Sequence, residues 1–139
     1  MKLFDINGKL KYKNCNKYKI NWEGKERSKP QFLVKQFFKP YWKDCICFTE
    51  FPIFGTKLKI DLYNANKNLM VETDGIQVHN EFNEFFHKDR AGYLNSIERD
   101  FLKEKFCEIN KIKLIRIYDN EINLLSVKFF IEKFGVNII

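Results

Sequence analysis

The chain has 139 residues, a net charge of +7, and 45% apolar and 17% aromatic residues. That supports one packed domain, leaves too little for two comfortable ones, and argues against a disordered chain. No apolar run approaches the roughly 18–20 residues that span a bilayer, and the opening MKLFDINGKLKYK lacks the apolar segment of a secretory signal. A soluble intracellular protein of the cytoplasm, without a membrane partner, is expected.

Residues 1–27 carry eight Lys and Arg against three Asp and Glu, so most of the positive surplus lies in an N-terminal arm. Tyr12, Tyr18 and Trp22 are interleaved with its lysines. That mixture suits a polyanion, with lysines on phosphates and rings against sugar or base. It equally suits an arm that is basic for solubility and docks its rings on the domain. Residues 28–139 are read as the folded domain.

Ser28-Lys29-Pro30-Gln31 marks a helix start: Ser28 caps, Pro30 fits the first turn, and Gln31 completes a capping box. The helix is expected to stop at Pro40, with Phe32, Leu33, Gln36 and Phe37 at helical spacing. Cys45 to Phe51 reads as a strand, and Pro52 to Gly55 as a turn. Lys57 to Tyr63 alternates, with Leu58, Ile60 and Leu62 on one face and Lys57, Lys59 and Asp61 on the other. A turn rich in Asn, residues 64–68, leads into a strand from Leu69 to Thr73, antiparallel to its predecessor.

Tyr93 to Asn110 is predicted to be a helix burying Leu94, Ile97, Phe101, Leu102, Phe106 and Ile109. Lys113 to Tyr118 follows as a strand, parallel to Leu69–Thr73 because a helix connects them. Ser126 caps a last helix that ends at Phe134, before Gly135. The order α-β-β-β-α-β-α describes an α/β protein with helices packed on a small mixed sheet.

The four cysteines, Cys15, Cys45, Cys47 and Cys107, have no C-x-x-C spacing and are read as reduced, mostly buried thiols, with a zinc site as the alternative. The chemistry concentrates elsewhere. LMVETDGIQVHN, Leu69 to Asn80, runs from an apolar strand into Glu72, Asp74, Gln77 and His79. Across the preceding turn, Asp61 is expected as a near-diagonal neighbour of Glu72. Carboxylates held that close leave two choices: one keeps its proton, or a cation sits among them. An all-oxygen site suits Mg²⁺ or Mn²⁺, and such an ion activates water toward a phosphoryl group. The competing reading is solvated acids at a strand end.

Asp61, ten residues, then Glu72-Thr73-Asp74-Gly75 with Gln77 and His79 resembles the PD-(D/E)XK, or restriction-endonuclease-like, nuclease superfamily. ERDFLKEKFCEINKIKLIRI, Glu98 to Ile117, is similar to the helix and strand that follow the active-site strand in its very-short-patch-repair-like branch. That branch includes small phage nucleases related to homing endonucleases. NWEGKERSKPQ, FFKPYW, EFPIFGTKLKIDLYNANKNLMVE and FFH (Phe85–His87) look like further pieces of their pattern.

The resemblance implies a three-layer nuclease core and a phage-encoded, Mg²⁺- or Mn²⁺-dependent DNA endonuclease. Asp61 and Glu72 would ligate the metal. Asp74 falls where the superfamily's lysine stands, so it would be a further metal ligand or position the water. Gln77 matches the polar residue of the relatives' G-x-Q-H, and His79 comes one residue later than in that pattern. Gln31 falls where many relatives place a first-helix Glu. Arg99, Asp100 and Lys103 match the helix motif and would contact phosphate or brace the site. Lys17, Lys19, Trp22, Lys25, Arg27, Lys57, Lys59, Arg99 and Lys103 are the candidate DNA contacts. Cutting both strands would take a homodimer or sequential nicks. The missing lysine and Gln31 also motivate a second reading, a nuclease fold that binds nucleic acid without cutting. A structural protein of a phage particle is a third.

Overall fold

The computed structural model describes residues 1–26, 28–74 and 90–139. Lys2–Phe4 (β1) and Leu10–Tyr12 (β2) form a short antiparallel hairpin, followed by a 3₁₀ turn at Asn16–Tyr18. This basic segment is joined to the rest along its length. Ile6 and Cys15 are buried against Phe51, Phe54 and Phe106. The Ile20 amide donates to the Cys47 carbonyl at 3.0 Å, and Tyr18 packs edge-on against Phe51.

Helix α1 spans Lys29–Trp42. Ser28 caps it as expected, its hydroxyl accepting from the Gln31 amide at 3.2 Å. Two expectations need correction. The helix continues through Pro40 to Trp42, and its buried face is Val34, Lys35, Phe38 and Trp42, while Phe32 and Leu33 are exposed. Pro40 removes one backbone hydrogen bond, at a cost of about 3 kcal/mol. Trp42 offsets it: the ring is fully buried, stacks on Phe38 at 3.9 Å between centroids, and its Nε1 donates to the Ile138 carbonyl at 2.8 Å.

β3 (Cys47–Pro52), β4 (Lys59–Asn64) and β5 (Leu69–Asp74) follow as an antiparallel meander. Helix α2 (Arg90–Ile109) crosses to β6 (Lys113–Tyr118), which lies parallel to β5. A 3₁₀ stretch at Asp119–Leu124 leads to α3 (Val127–Phe134). Ser126 caps α3, and Gly135 ends it at a left-handed φ of 66°. The sheet order is β3-β4-β5-β6, and the chain is a mixed α/β protein; among the described residues from α1 onward the helices and strands follow the predicted order, while the β1–β2 hairpin was not predicted. Among the described residues no helix is long and apolar enough to cross a membrane.

Alternation along β5 and β6 sorts the core into two layers. Met70 and Leu114 face Leu102, Phe106 and Cys107 of α2. Leu69, Val71, Ile115 and Ile117 face Val34, Phe38 and Trp42 of α1 and Phe130 of α3. β4 breaks this rule. Leu62 joins the α1 layer, yet Ile60 and Leu58 pack in the α2 layer, so the expected single apolar face is divided. The break is centred on Asp61. In the β3–β4 register Glu50 falls opposite Asp61, between the Thr49–Leu62 and Phe51–Ile60 pairs, and its φ is 49°. A left-handed residue inside a strand reorients what lies across from it.

The apolar face expected on α2 is also divided. Leu102 and Phe106 pack on the core, whereas Leu94, Ile97 and Phe101 are exposed. The sheet beneath this half of the helix ends in acids, so α2 turns Asp100 and Lys103 toward it instead.

Candidate functional site

The β4–β5 ladder pairs Asn64 with Leu69, Tyr63 with Met70 and Leu62 with Val71. One more rung would set Asp61 directly opposite Glu72, not diagonal to it. The paired ladder ends short of that rung, while β5 continues beside β6 through Asp74. The Thr73 amide, freed from the ladder, donates to Asp61 Oδ2 at 2.8 Å. Asp61 Oδ1 accepts from Gln31 Nε2 at 3.0 Å. Gln31 thus reaches the site instead of folding back over its own helix start. Asp61 is pinned through both oxygens, one to α1 and one to β5.

Glu72 lies on the α2 side of β5, in step with Met70, and is 5% exposed. Its Oε1 meets Lys103 Nζ at 3.2 Å. Burial pushes the Glu72 carboxyl well above the ordinary range; the Asp61 carboxylate pushes it further, and Lys103 opposes the rise. Burial likewise raises Asp61, against the Thr73 hydrogen bond and Lys103, with Glu50 and Asp74 adding to the rise. Two acids here resist being ionised together.

Asp74 shares the Glu72 face, but its carboxylate is engaged by Arg116 at 3.7 Å. Arg116 stands on β6 beside Glu72 and also meets Asp100 at 3.3 Å and Glu104 at 3.6 Å. Each of the three acids thus has its own partner, Gln31 and Thr73 for Asp61, Lys103 for Glu72 and Arg116 for Asp74. Arg116 was not foreseen. Its signal was a charge in the interior of KLIRIY, on the face that Leu114 shares with the α2 layer.

Lys57, Lys59, Arg99 and Lys103, all candidate DNA contacts, line one open cleft of about 380 Å³ with Asp74, Ser96 and Asp100. Lys17, Lys19 and Lys25 are exposed on the basic segment, and Trp22 is half-buried against the α1 layer. Lys35 ties that segment down, meeting Glu26 at 3.0 Å and the Gly24 carbonyl at 3.1 Å. Gln77, His79 and Arg27, and the Phe85–His87 stretch, lie outside the described residues. Cys15, Cys47 and Cys107 are buried, Cys45 is half-buried, and all four are free thiols.

Among the described residues, no three or more His, Cys, Asp or Glu side chains are gathered as a ligand cage. Mg²⁺ does not need one: it binds through one or two carboxylates and keeps several waters. Asp61 and Glu72 supply such a pair. Beside them, Gln31 Oε1 is buried and accepts no hydrogen bond. The donor set is all oxygen and doubly acidic, which fits Mg²⁺ or Mn²⁺.

No family model and no solved structure matches the chain. It is similar to the uncharacterized protein 033L of Invertebrate iridescent virus 3, with 38% identity over 87 residues, which is 63% of this chain and 44% of that protein. It is also 38% identical over 60 residues to the uncharacterized protein 307L of Invertebrate iridescent virus 6, covering 43% of this chain and 30% of that one. The chain therefore spans less than half the length of these curated relatives.

Proposed function

We propose that the chain is a divalent-metal-dependent DNA endonuclease of the restriction-endonuclease-like type. One observation carries this reading. Asp61, half-buried, and Glu72, buried, stand where two strands part, and Lys103 links Glu72 to a cleft lined by four cations. A buried acid pair is costly in a fold unless a cation compensates it. A basic cleft alongside is where a phosphodiester backbone would lie.

Asp61 and Glu72 would hold Mg²⁺ or Mn²⁺, which when bound polarises a phosphoryl oxygen and acidifies water. Gln31 and the Thr73 amide fix the angle of Asp61. Lys57, Lys59 and Arg99 would bind backbone phosphates lying in the cleft. Arg116 keeps Asp74 and Asp100 compensated, so that α2 can lie over the acidic end of the sheet. One such site cuts one strand; cutting both takes a homodimer or two successive nicks.

The test is cleavage of supercoiled, branched and mismatched DNA by the purified chain with Mg²⁺ or Mn²⁺. Cutting that disappears in Asp61→Asn and Glu72→Gln supports the reading; intact DNA across the panel overturns it. The second reading, a nuclease-like fold that binds nucleic acid without catalysis, is favoured by Lys103 already neutralising Glu72. Salt-sensitive DNA binding that is indifferent to EDTA, with no cutting, would support it.

A further inference from the structure

We propose that Lys103 is an exchangeable cation: it occupies the Glu72 carboxylate until a divalent ion arrives, then swings into the cleft to bind a DNA phosphate. The inference rests on the metal-site reading above. Lys103 Nζ is 3.2 Å from Glu72 Oε1, its side chain 16% exposed against 6% for Glu72. The ammonium thus lies at the boundary between the buried acids and the open cleft that Lys57, Lys59 and Arg99 also line.

Charge decides the exchange. When both ionise, Asp61 and Glu72 carry two negative charges, and one ammonium leaves that pair undercompensated. A divalent ion compensates it fully. With the ion in place its repulsion of the ammonium offsets the attraction of the two carboxylates, and Lys103 loses most of what held it at Glu72. A four-carbon stem lets Nζ move without disturbing α2. The nearest favourable destination is an anion in the cleft, and a phosphodiester is that anion. Metal binding and DNA binding then support one another, because the ion releases the cation that grips the backbone. Without an ion the acids are capped and the cleft has one fewer free cation.

The test compares Mn²⁺ affinity, read by electron paramagnetic resonance of the free ion, for the full chain and for Lys103→Met, without DNA. Removing the competitor should tighten Mn²⁺ binding by about fivefold or more. In the unmodified chain, the side-chain NMR signal of Lys103, assigned through Lys103→Arg, should shift on adding Mg²⁺. It should shift again when a DNA duplex is added with Ca²⁺. Equal or weaker Mn²⁺ binding by Lys103→Met, with binding lost in Glu72→Gln, overturns the exchange and leaves the metal site standing. No Mn²⁺ binding by any form overturns both. Should Lys103→Met fail to fold, the unmodified chain decides alone: a Lys103 signal unmoved at saturating Mg²⁺ overturns the exchange.

Discussion

The amide of Thr73 donates to Oδ2 of Asp61 across 2.8 Å, at the rung where β4 and β5 part. A backbone donor that would otherwise continue the ladder is spent on orienting one carboxylate. The other oxygen of Asp61 is held by Gln31. Groups that aim a metal ligand typically contribute 10–100-fold to affinity or activity. Gln31→Ala should therefore weaken Mn²⁺ binding and DNA cleavage by about tenfold or more, with little loss of fold. Gln31→Glu, which adds a third acid, should tighten metal binding and lower the melting temperature of the metal-free chain. Calorimetric titration with Mn²⁺ checks the affinities of both variants, and a thermal melt in EDTA checks the stability of Gln31→Glu.

The buried acids set a pH dependence. Both carboxyls are raised above their unfolded values, chiefly by burial. Above the ordinary carboxylate range the folded chain binds more protons than the unfolded one, so unfolding free energy falls as pH rises. In EDTA the melting temperature should decline between about pH 5 and pH 8. Glu72→Gln should flatten that decline, and saturating Mg²⁺ should remove it by favouring the ionised pair. A metal-free melting temperature that climbs steadily over this window, unaffected by Glu72→Gln, would contradict the burial account.

Arg116 serves three carboxylates at once, those of Asp74, Asp100 and Glu104. Removing it strands Asp74 and Asp100, which are mostly shielded from water, while Glu104 is exposed. Arg116→Met should cost about 3 kcal/mol in urea denaturation. Asp74→Asn leaves Arg116 two partners and should cost less than about 1 kcal/mol. It should also keep Mn²⁺ affinity within a few-fold of the parent, since Asp74 belongs to the arginine and not to the Asp61–Glu72 pair. Loss of Mn²⁺ binding in Asp74→Asn would return Asp74 to the ligand set.

Helix α1 is continuous through Pro40, and Trp42 anchors its end. Pro40→Ala restores a backbone donor and should stabilise the chain by about 1–3 kcal/mol. Trp42→Ala should cost about 3–5 kcal/mol. A neutral Pro40→Ala would mean that the helix ends where the proline suggests.

Local signals with a dedicated residue were readable. Ser126 and Gly135 bracket α3 as expected, KLIRIY gives the limits of β6, and Ser28 starts α1. The meander and the parallel β5–β6 pair followed from turn chemistry and from the connecting helix. What escaped depends on distant partners. A proline rule cannot see that Trp42 will bury itself on Phe38. Strict alternation along β4 cannot see that Glu50, on another strand, takes a left-handed φ and turns Ile60 and Leu62 to different layers. Counting outward from the turn put Asp61 and Glu72 at the same end of the hairpin, one rung beyond its last pair, Leu62–Val71. Arg116 on Asp74 was not, because the two meet only through the parallel crossover.

The most direct measurement is an anomalous-difference map from a crystal of the full chain soaked in Mn²⁺. One strong peak is expected within about 2.0–2.3 Å of carboxylate oxygens of both Asp61 and Glu72. A map with no peak there, or with its strongest peak on Asp74 and Asp100, would contradict it.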